Sequence, residues 1–320
     1  MTEFKSGLAP SILMMIDYFE ALGNSRKTHE LNLRSIDRFC AANYPEADTL
    51  SKEMVLGWLE EQHSGVAGKA TTIRQLGKYL RAIGRDAYIL YDEYMTYRSN
   101  FSAYIFTDDE LSRLFKSVDG IKATNDEPFL PDIAPVLYRL IYTCGLRPNE
   151  GRELKRSNIN FSTGEVFITE TKHKKERLVV MSNDMLSLCR EYDKRREVFA
   201  RGSEYFFPSW EGGPFRNNQT GYYFRECWAR ANKTVSKDEL PGVRVYDLRH
   251  RFASAVLNRW LDTGQPLGAK LPYLRAYMGH NSLSETAYYI HLLPENLVKS
   301  AGIDWDAFSE IVPEVILWEE

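Results

Sequence analysis

Apolar residues recur at intervals of three and four along the first hundred residues, which is the spacing of one face of an α-helix. The pattern occupies residues 9–23, 31–45, 51–62 and 71–84. In the first stretch Pro10 stands near the start and Gly23 at the end, as is common at helix termini. The pattern therefore predicts an all-helical N-terminal domain.

The remainder of the chain is also mainly helical in pattern. Thr107 and Glu110 have the spacing of a helix capping box, a long apolar helix is predicted over residues 134–147, and helices resume from about residue 222. Two short runs, 165–169 and 177–181, have the composition of β-strands. We predict a mainly α protein with one small antiparallel sheet in its second domain. The predicted boundaries are 1–94 for the N-terminal domain, 95–106 for a linker, 107–300 for the second domain and 301–320 for a tail.

The charge of the chain is unevenly distributed. Its formal net charge is −3, which taken alone argues against a nucleic-acid-binding protein, since such domains are usually basic. Residues 301–320, however, contain six acidic residues and no Lys or Arg, and removing these six negative charges leaves +3 on residues 1–300. A modestly basic body thus carries an acidic and apolar tail.

Neither a membrane nor a metal is indicated by the sequence. No apolar run approaches the ~20 residues that span a bilayer, and the first residues lack the pattern of a signal peptide. We therefore expect a cytoplasmic protein. The four cysteines lie far apart without a CxxC pair, so we expect buried thiols, no metal site and no cofactor.

Arg147 stands at a predicted junction between two helices. It is the last residue of the mainly apolar stretch 134–147, Pro148 can begin the next helix, and Glu150 lies three residues after the arginine. A guanidinium that a carboxylate holds in place is a suitable fork for phosphate oxygens. The other interpretation is an Arg–Glu ion pair that only supports the fold.

Two further clusters are cationic. The first lies in the predicted connection between the two strands and comprises Lys172, Lys174, Lys175 and Arg177. A cationic run in a hairpin connection is usually a polar turn, but a β-turn can also carry one lysine into a cleft, where its ammonium can protonate a departing alkoxide. The second surrounds an amphipathic helix that we expect Arg249 and His250 to open, and it comprises Arg244, Arg249, His250, Arg251 and Arg259.

A fourth cluster ends in two adjacent tyrosines, Tyr288 and Tyr289. Positions three or four apart share a helix face, so Tyr289 shares a face with Thr286 or Glu285 rather than with its neighbour Tyr288. His280 follows a glycine, which is a typical helix terminator, and is predicted to lie in the turn before this helix.

In order and spacing, these four clusters resemble the tyrosine recombinases, or phage-integrase family. The resemblance covers roughly residues 107–293, through "GLRPNE", "TKHKKERLVV", "DLRHRFAS" and "MGHNSLSETAYYIH". The N-terminal helices resemble the core-binding domain of that family in layout only. The resemblance implies a DNA-clamping domain, a catalytic domain, and site-specific DNA recombination, as in integration and excision, without a metal.

The resemblance also implies roles for single residues. Tyr289 corresponds to the nucleophile, which forms a 3′-phosphotyrosyl intermediate. Arg147 and Arg249 correspond to the two arginines that stabilise the phosphate, and Lys172 to the lysine that protonates the leaving 5′-oxygen. His280 is expected to donate a hydrogen bond to the phosphate or to steady it.

One position departs from the family pattern. Three residues before the second arginine the family usually has histidine, whereas this chain has Tyr246. A tyrosine hydroxyl has a reference pKa near ~10 and is a poor base at neutral pH. We expect slower cleavage or a substitute base, for which His250 and His291 are the candidates. Glu150 is expected to orient Arg147.

The partner that the resemblance implies is double-stranded DNA with specific recombination sites. The family acts as four protomers on DNA, so we expect a free monomer that forms a homo-tetramer on its sites, nucleoid association, and accessory DNA-bending or partner recombinase proteins. A mobile element is the expected setting. The tail 301–320 is expected to dock on a neighbouring protomer or on its own domain. Expected DNA contacts are Arg74, Lys78, Arg81, Lys174, Lys175, Arg177, Arg244 and Arg251.

Two alternatives remain open from the sequence. A type IB topoisomerase-like enzyme would use the same chemistry to nick, swivel and reseal DNA. A DNA-binding regulator on the same scaffold would have lost catalysis, and Tyr246 is the one sequence feature that hints at it.

Overall fold

A computed structural model describes residues 3–63, 65–95, 103–169, 176–236, 238–283, 285–286 and 289. The chain divides into two compact units, residues 1–101 and 102–320. This division falls within the segment 95–106 that the sequence predicts as a linker. Across the described ranges, no helix has both the length and the apolar character that a membrane crossing requires.

The N-terminal unit is a bundle of helices, each with one apolar face in a shared core. Buried members of that core include Leu8, Ile36, Trp58 and Leu76. The second helix begins at Arg26 rather than at residue 31, because Ser25 caps it by accepting the N–H of Thr28 and because its first turn is polar. The helices are α1 (Ala9–Ala21), α2 (Arg26–Asn43), α3 (Lys52–Glu60) and α4 (Val66–Ala82).

The C-terminal unit is mostly helical and contains a two-stranded antiparallel sheet, so the predicted fold class is confirmed. The strands pair Glu165 with Val180 and Ile168 with Arg177. After the last long helix, the described residues 283, 285, 286 and 289 are helical. The elements are α5 (Asp108–Asp119), α6 (Leu130–Cys144), α7 (Pro148–Arg152), β1 (Glu165–Ile168), β2 (Arg177–Val180), α8 (Asn183–Phe199), α9 (Asn217–Ala231), α10 (Val245–Asp262) and α11 (Leu267–Met278).

Helix α6 lies at the centre of this unit. It is buried along most of its length and contacts α5, α7, α8 and α10. Helix α11 contacts α10 and the strand β2. The four cysteines are all buried and none forms a disulfide. Because α6 is enclosed, the residues at its C-terminal end are held firmly against α10.

Helix α10 begins earlier than the sequence predicts. Its first residue is Val245, and the carboxylate of Asp247 accepts the backbone N–H of Arg244 at 2.7 Å. Arg249 and His250 therefore lie in the second turn rather than opening the helix. The usual Ser or Thr cap is absent here, so the sequence gives little signal for this start.

Gly145 ends α6 in a left-handed conformation with φ of 61°. A methyl group at this Cα would lie 2.5 Å from Cδ1 of Phe252 in α10. Helix α10 therefore approaches the end of α6 too closely for any residue larger than glycine.

We predict that Gly145→Ala lowers the free energy of unfolding by about 2–4 kcal/mol, from the left-handed backbone and the overlap with Phe252 together. Gly264→Ala is the matched control, since Gly264 has φ of 65° and open space around its Cα. It should cost about 1–2 kcal/mol. Urea unfolding measures both, and equal losses would show that the contact with Phe252 is unimportant.

Candidate active site

The junction between α6 and α7 fixes the backbone of Arg147. Gly145 turns the chain, Leu146 is buried, and Pro148 begins α7. The carboxylate of Glu150 accepts the backbone N–H of Arg147 at 2.8 Å. The predicted helix junction is therefore present, and the arginine side chain leaves it in a defined direction.

Glu150 lies between two guanidinium groups. Its carboxylate accepts Nη1 of Arg147 at 2.7 Å, and Nη1 and Nη2 of Arg177 at 2.9 and 2.6 Å. Burial alone would raise the pKa of Glu150, but the hydrogen bonds and charges of Arg177 and Arg147 outweigh it and lower this pKa to about 2. Glu150 is thus ionised and holds both cations.

Arg249 is fully buried in the second turn of α10. Its Nη1 donates to the carbonyl oxygen of Gly145 and its Nη2 to that of Met278, each at 2.6 Å. Its Nε–H has no acceptor among the residues that the structure describes. Burial lowers the pKa of Arg249, although a guanidinium stays charged at any ordinary pH. A buried cation with a free donor is suited to an anionic ligand.

Tyr246 and His250 lie one turn apart on α10. Their ring centroids are 5.0 Å apart, and the guanidinium carbon of Arg249 lies 6.0 Å from the centroid of the Tyr246 ring. Burial, followed by the charges of Arg244 and Arg249, lowers the pKa of His250 to about 4. Nδ1 of His250 has no hydrogen-bond partner in the described part of the chain. His250 is therefore a neutral imidazole with one nitrogen unused.

Tyr289 is buried between two histidines. Its ring is nearly parallel to that of His280, at 5.8 Å between centroids, and lies 5.4 Å from that of His250. Nδ1 of His280 is 2.8 Å from Oγ1 of Thr286, one turn before the tyrosine. Thr286 and Tyr289 thus share a helix face, as the sequence predicts.

The charges around this tyrosine act in opposite directions. Burial raises the pKa of Tyr289 to about 12, while the positive charges of Arg249 and Arg147 act to lower it. Burial, together with the charges of Arg249 and Arg147, lowers the pKa of His280 to about 3. At neutral pH the site therefore holds a protonated hydroxyl, neutral imidazoles and charged guanidiniums.

A polar cleft of about 730 Å³ opens beside Arg147 and Tyr246. Four asparagines contribute to its walls, so it offers both hydrogen-bond donors and acceptors. Part of its lining is Arg147, Asn149, Lys155, Asn158, Asn217, Tyr246 and Asn281.

The other predicted site residues are dispersed. Arg177 turns inward to Glu150, and Arg251 pairs with Asp108. Arg74 pairs with Asp92, while Arg244 is exposed at the start of α10. On α4 both Lys78 and Arg81 are exposed. Lys172, Lys174, Lys175, His291 and the tail 301–320 lie outside the described residues.

Sequence reasoning missed the inward position of Arg177 although a signal was present. Side chains alternate between the faces of a strand, so Arg177 lies on the same face of β2 as Val179, which is buried. That alternation predicts an interior arginine rather than a member of an exposed cationic run.

Comparison with known proteins adds evidence of descent. The model of the phage integrase family matches residues 82–296. The chain is 27% identical over 297 residues to "Putative integrase/recombinase y4rB" of Sinorhizobium fredii, covering 89% of this chain and 93% of that protein. It is 28% identical over 195 residues to tyrosine recombinase XerD of Rhizobium meliloti, covering 59% and 57%.

Solved structures share the fold. The Tn1549 transposon integrase in complex with transposon right end DNA has a TM-score of 0.61 at 14% identity, covering 87% of this chain and 94% of that one. The XerH site-specific recombinase bound to a difH substrate has a TM-score of 0.60 at 19% identity, covering 89% and 80%. These relatives and structures favour neither the topoisomerase-like alternative nor the regulator.

The two depressed histidine pKa values predict a loss of stability in acid. In the unfolded chain His250 and His280 would take up protons near pH 6.5. In the folded protein they do so only near pH 4 for His250 and pH 3 for His280. Stability is therefore complete above about pH 6.5 and falls below it, by at most about 1.4 kcal/mol per pH unit for each histidine.

Urea unfolding at pH 7.5 and 5.0 measures this loss. In His250→Gln the difference between the two pH values should be smaller than in the native protein, and in the exposed control His63→Gln it should be unchanged. An equal pH dependence in all three proteins would contradict the burial of a neutral His250.

Proposed function

The chain belongs to the phage integrase family and, as a tyrosine recombinase, catalyses site-specific DNA recombination, and we propose that Tyr289 is its nucleophile. One observation carries this proposal. Tyr289 is the tyrosine that lies between His250 and His280 and within the field of Arg147 and Arg249. No small-molecule site of comparable chemistry competes with it in the described part of the chain.

The reaction begins with attack of the Tyr289 oxygen on the scissile phosphate. This forms a phosphotyrosyl bond to the 3′ end and releases a 5′-hydroxyl, which can attack in turn and restore the phosphodiester. No water is consumed, so the energy of the bond is retained for rejoining to another strand. Lys172 protonates the leaving 5′-oxygen in this scheme.

Arg147 and Arg249 stabilise the negative charge that grows on the phosphate oxygens. Arg147 is already held by Glu150 and the carbonyl oxygen of Gly279, and Arg249 by the carbonyl oxygens of Gly145 and Met278. Little reorganisation is therefore needed when the charge develops. Removal of either preorganised donor should slow cleavage by about 10²–10³-fold.

The proton of Tyr289 must leave as the oxygen attacks, because its pKa of about 12 keeps the hydroxyl protonated at neutral pH. His250 is neutral and has an unused nitrogen. Its lowered pKa makes it a weak base, but the negative charge of a bound phosphate would raise this pKa, and we propose it as the acceptor in place of the usual histidine. His280 is held by Thr286 and steadies the tyrosine ring.

The partner is double-stranded DNA that carries specific sites. The polar cleft beside Arg147 supports access of a phosphodiester to the site. We propose a monomer in solution that assembles as a tetramer on DNA, with the predicted N-terminal domain, residues 1–94, clamping the duplex through Arg74, Lys78 and Arg81. Lys174, Lys175, Arg244 and Arg251 would add phosphate contacts, whose strength falls steeply with salt.

We propose a mobile element as the biological setting of this protein. A mobile element whose ends carry the sites would use the protein for integration and excision, with accessory DNA-bending or partner recombinase proteins and in association with the nucleoid. The acidic and apolar tail, residues 301–320, would dock on a neighbouring protomer. Deleting it should abolish cooperative assembly on DNA, and unchanged cooperativity would contradict the docking.

A nicked duplex that contains the element's own site traps the covalent intermediate, because the short cleaved strand diffuses away. We expect denaturing electrophoresis to show a protein–DNA band for the native chain and for Tyr288→Phe, and no band for Tyr289→Phe. A band that persists in Tyr289→Phe would overturn the assignment of the nucleophile. Native binding that is salt-sensitive but never covalent would support a regulator instead.

Tyr246 can be tested by two substitutions. Tyr246→Phe removes a hydroxyl from the cleft that Arg147 also lines, where it could donate a hydrogen bond to the phosphate, and we expect single-turnover cleavage to slow about tenfold. Tyr246→His supplies a group whose reference pKa suits proton transfer at neutral pH, so its rate should equal or exceed that of the native chain. Faster cleavage by the Phe variant than by the His variant would contradict this role.

A further inference from the structure

We propose that Arg177 is a positioning residue that sets the orientation of Arg147 through Glu150, rather than a DNA contact. The inference rests on the proposed function, since it concerns the arginine that binds the scissile phosphate. Three observations carry it: the shared carboxylate, the carbonyl oxygens at the end of α11, and the close packing at Gly279.

The shared carboxylate is the first observation. The side chains of Arg177 and Glu150 are each only 7% exposed, and two N–H groups of Arg177 donate to the two carboxylate oxygens. One of these oxygens, Oε1, also accepts Nη1 of Arg147. Arg177 therefore fixes the rotation of the carboxylate, and the carboxylate fixes the guanidinium of Arg147.

The end of α11 is the second observation. The last carbonyl oxygens of a helix lack partners within the helix and carry its negative dipole end. Here three consecutive carbonyls accept from three different arginines: Tyr277 from Nε of Arg177 at 2.8 Å, Met278 from Arg249 at 2.6 Å, and Gly279 from Arg147 at 2.5 Å. Arg177 and Arg147 are thus tied to the same short stretch of backbone.

Gly279 supplies the third observation. Its φ is 66°, and a methyl group at its Cα would lie 3.1 Å from Nη1 of Arg177 and 3.4 Å from Nη1 of Arg147. The two guanidiniums therefore approach the same glycine closely, and neither can shift far without moving the other.

These contacts explain why the loss of Arg177 should affect catalysis. Without it the Glu150 carboxylate is free to rotate and to take both of its oxygens to Arg147, which would turn that guanidinium away from its present direction. A displacement of about 1 Å in a catalytic group can cost about 10²-fold in rate. The binding of DNA should be affected far less, because only 7% of the Arg177 side chain is exposed and its guanidinium is turned toward Glu150.

A second route for Arg177 must be separated from the first. Strand β2 begins at Arg177, shortly after Lys172 in sequence, so Arg177 could instead act on the lysine that protonates the leaving oxygen. A substrate whose 5′-bridging oxygen is replaced by sulfur distinguishes the routes, because a thiolate leaves without protonation. Such a substrate should restore cleavage by Lys172→Ala and should leave a defect in phosphate binding uncorrected.

The experiment measures single-turnover cleavage of oxygen and sulfur substrates, together with DNA affinity over a range of salt. We compare the native chain with Arg177→Gln, Arg177→Lys and Lys172→Ala. The matched control is Arg196→Gln, because Arg196 is equally buried and bonded to a carboxylate and backbone carbonyls but lies on α8 away from Glu150. If Arg177→Gln fails to fold, Arg177→Lys carries the test.

We expect Arg177→Gln to slow cleavage about 10²-fold on both substrates, with the salt dependence of DNA binding unchanged. Arg177→Lys keeps the charge but loses the two-pronged contact, so it should remain about tenfold slow. When Arg177→Gln is added to Glu150→Gln, the cleavage rate should fall little further, because both substitutions act through the same carboxylate. The folded Arg196→Gln control should cleave at the native rate.

Three results would overturn the inference. Full activity of Arg177→Lys would show that only the positive charge of Arg177 matters. Full cleavage of the sulfur substrate by Arg177→Gln would show that Arg177 acts through Lys172. A salt dependence of DNA affinity whose slope falls by about one in Arg177→Gln would show that Arg177 contacts DNA. Absence of any covalent product from the native chain on either substrate is a different outcome. It would overturn the proposed function itself.

Discussion

The C-terminal end of α11 is the constraint on which the site depends. Carbonyl oxygens 277–279 each accept a hydrogen bond from a different arginine, and these arginines come from the strand β2, from α10 and from the junction before α7. Helix C-termini favour cations because their last carbonyls are unpaired and carry the negative end of the dipole. One helix end thus gathers three guanidiniums that the sequence separates by up to about a hundred residues.

Gathering like charges in a buried site requires compensation. Glu150 supplies one negative charge between Arg147 and Arg177, and its lowered pKa shows how strongly the cations hold it. Burial, together with the charges of the arginines, keeps His250 and His280 neutral. A phosphate would add the negative charge that the site is arranged to receive. The same arrangement leaves neutral imidazoles beside Tyr289, the proposed nucleophile.

The fold could be predicted from sequence wherever the signal is local. Periodicity predicts the helices, and Gly279 marks a helix end that the structure confirms. Gly145, at which α6 ends, lies inside the stretch 134–147 that the sequence predicts as helical. The sequence predicts a start of α10 that is too late, because the cap is not the usual Ser or Thr. Instead, Asp247 accepts the backbone N–H of Arg244, three residues before it. The contact of Arg177 with Glu150 joins distant segments, so only its alternation on β2 could have indicated that it faces inward.

The central claim is that one particular hydroxyl, that of Tyr289, becomes bonded to DNA. The most direct measurement is mass spectrometry of the trapped protein–DNA product after digestion with a protease and a nuclease. We predict that the peptide containing Tyr289 carries the added nucleotide mass, attached through a 3′-phosphate to that tyrosine. A modified residue elsewhere, such as Tyr288 or Tyr246, or attachment through the 5′ end, would contradict the account.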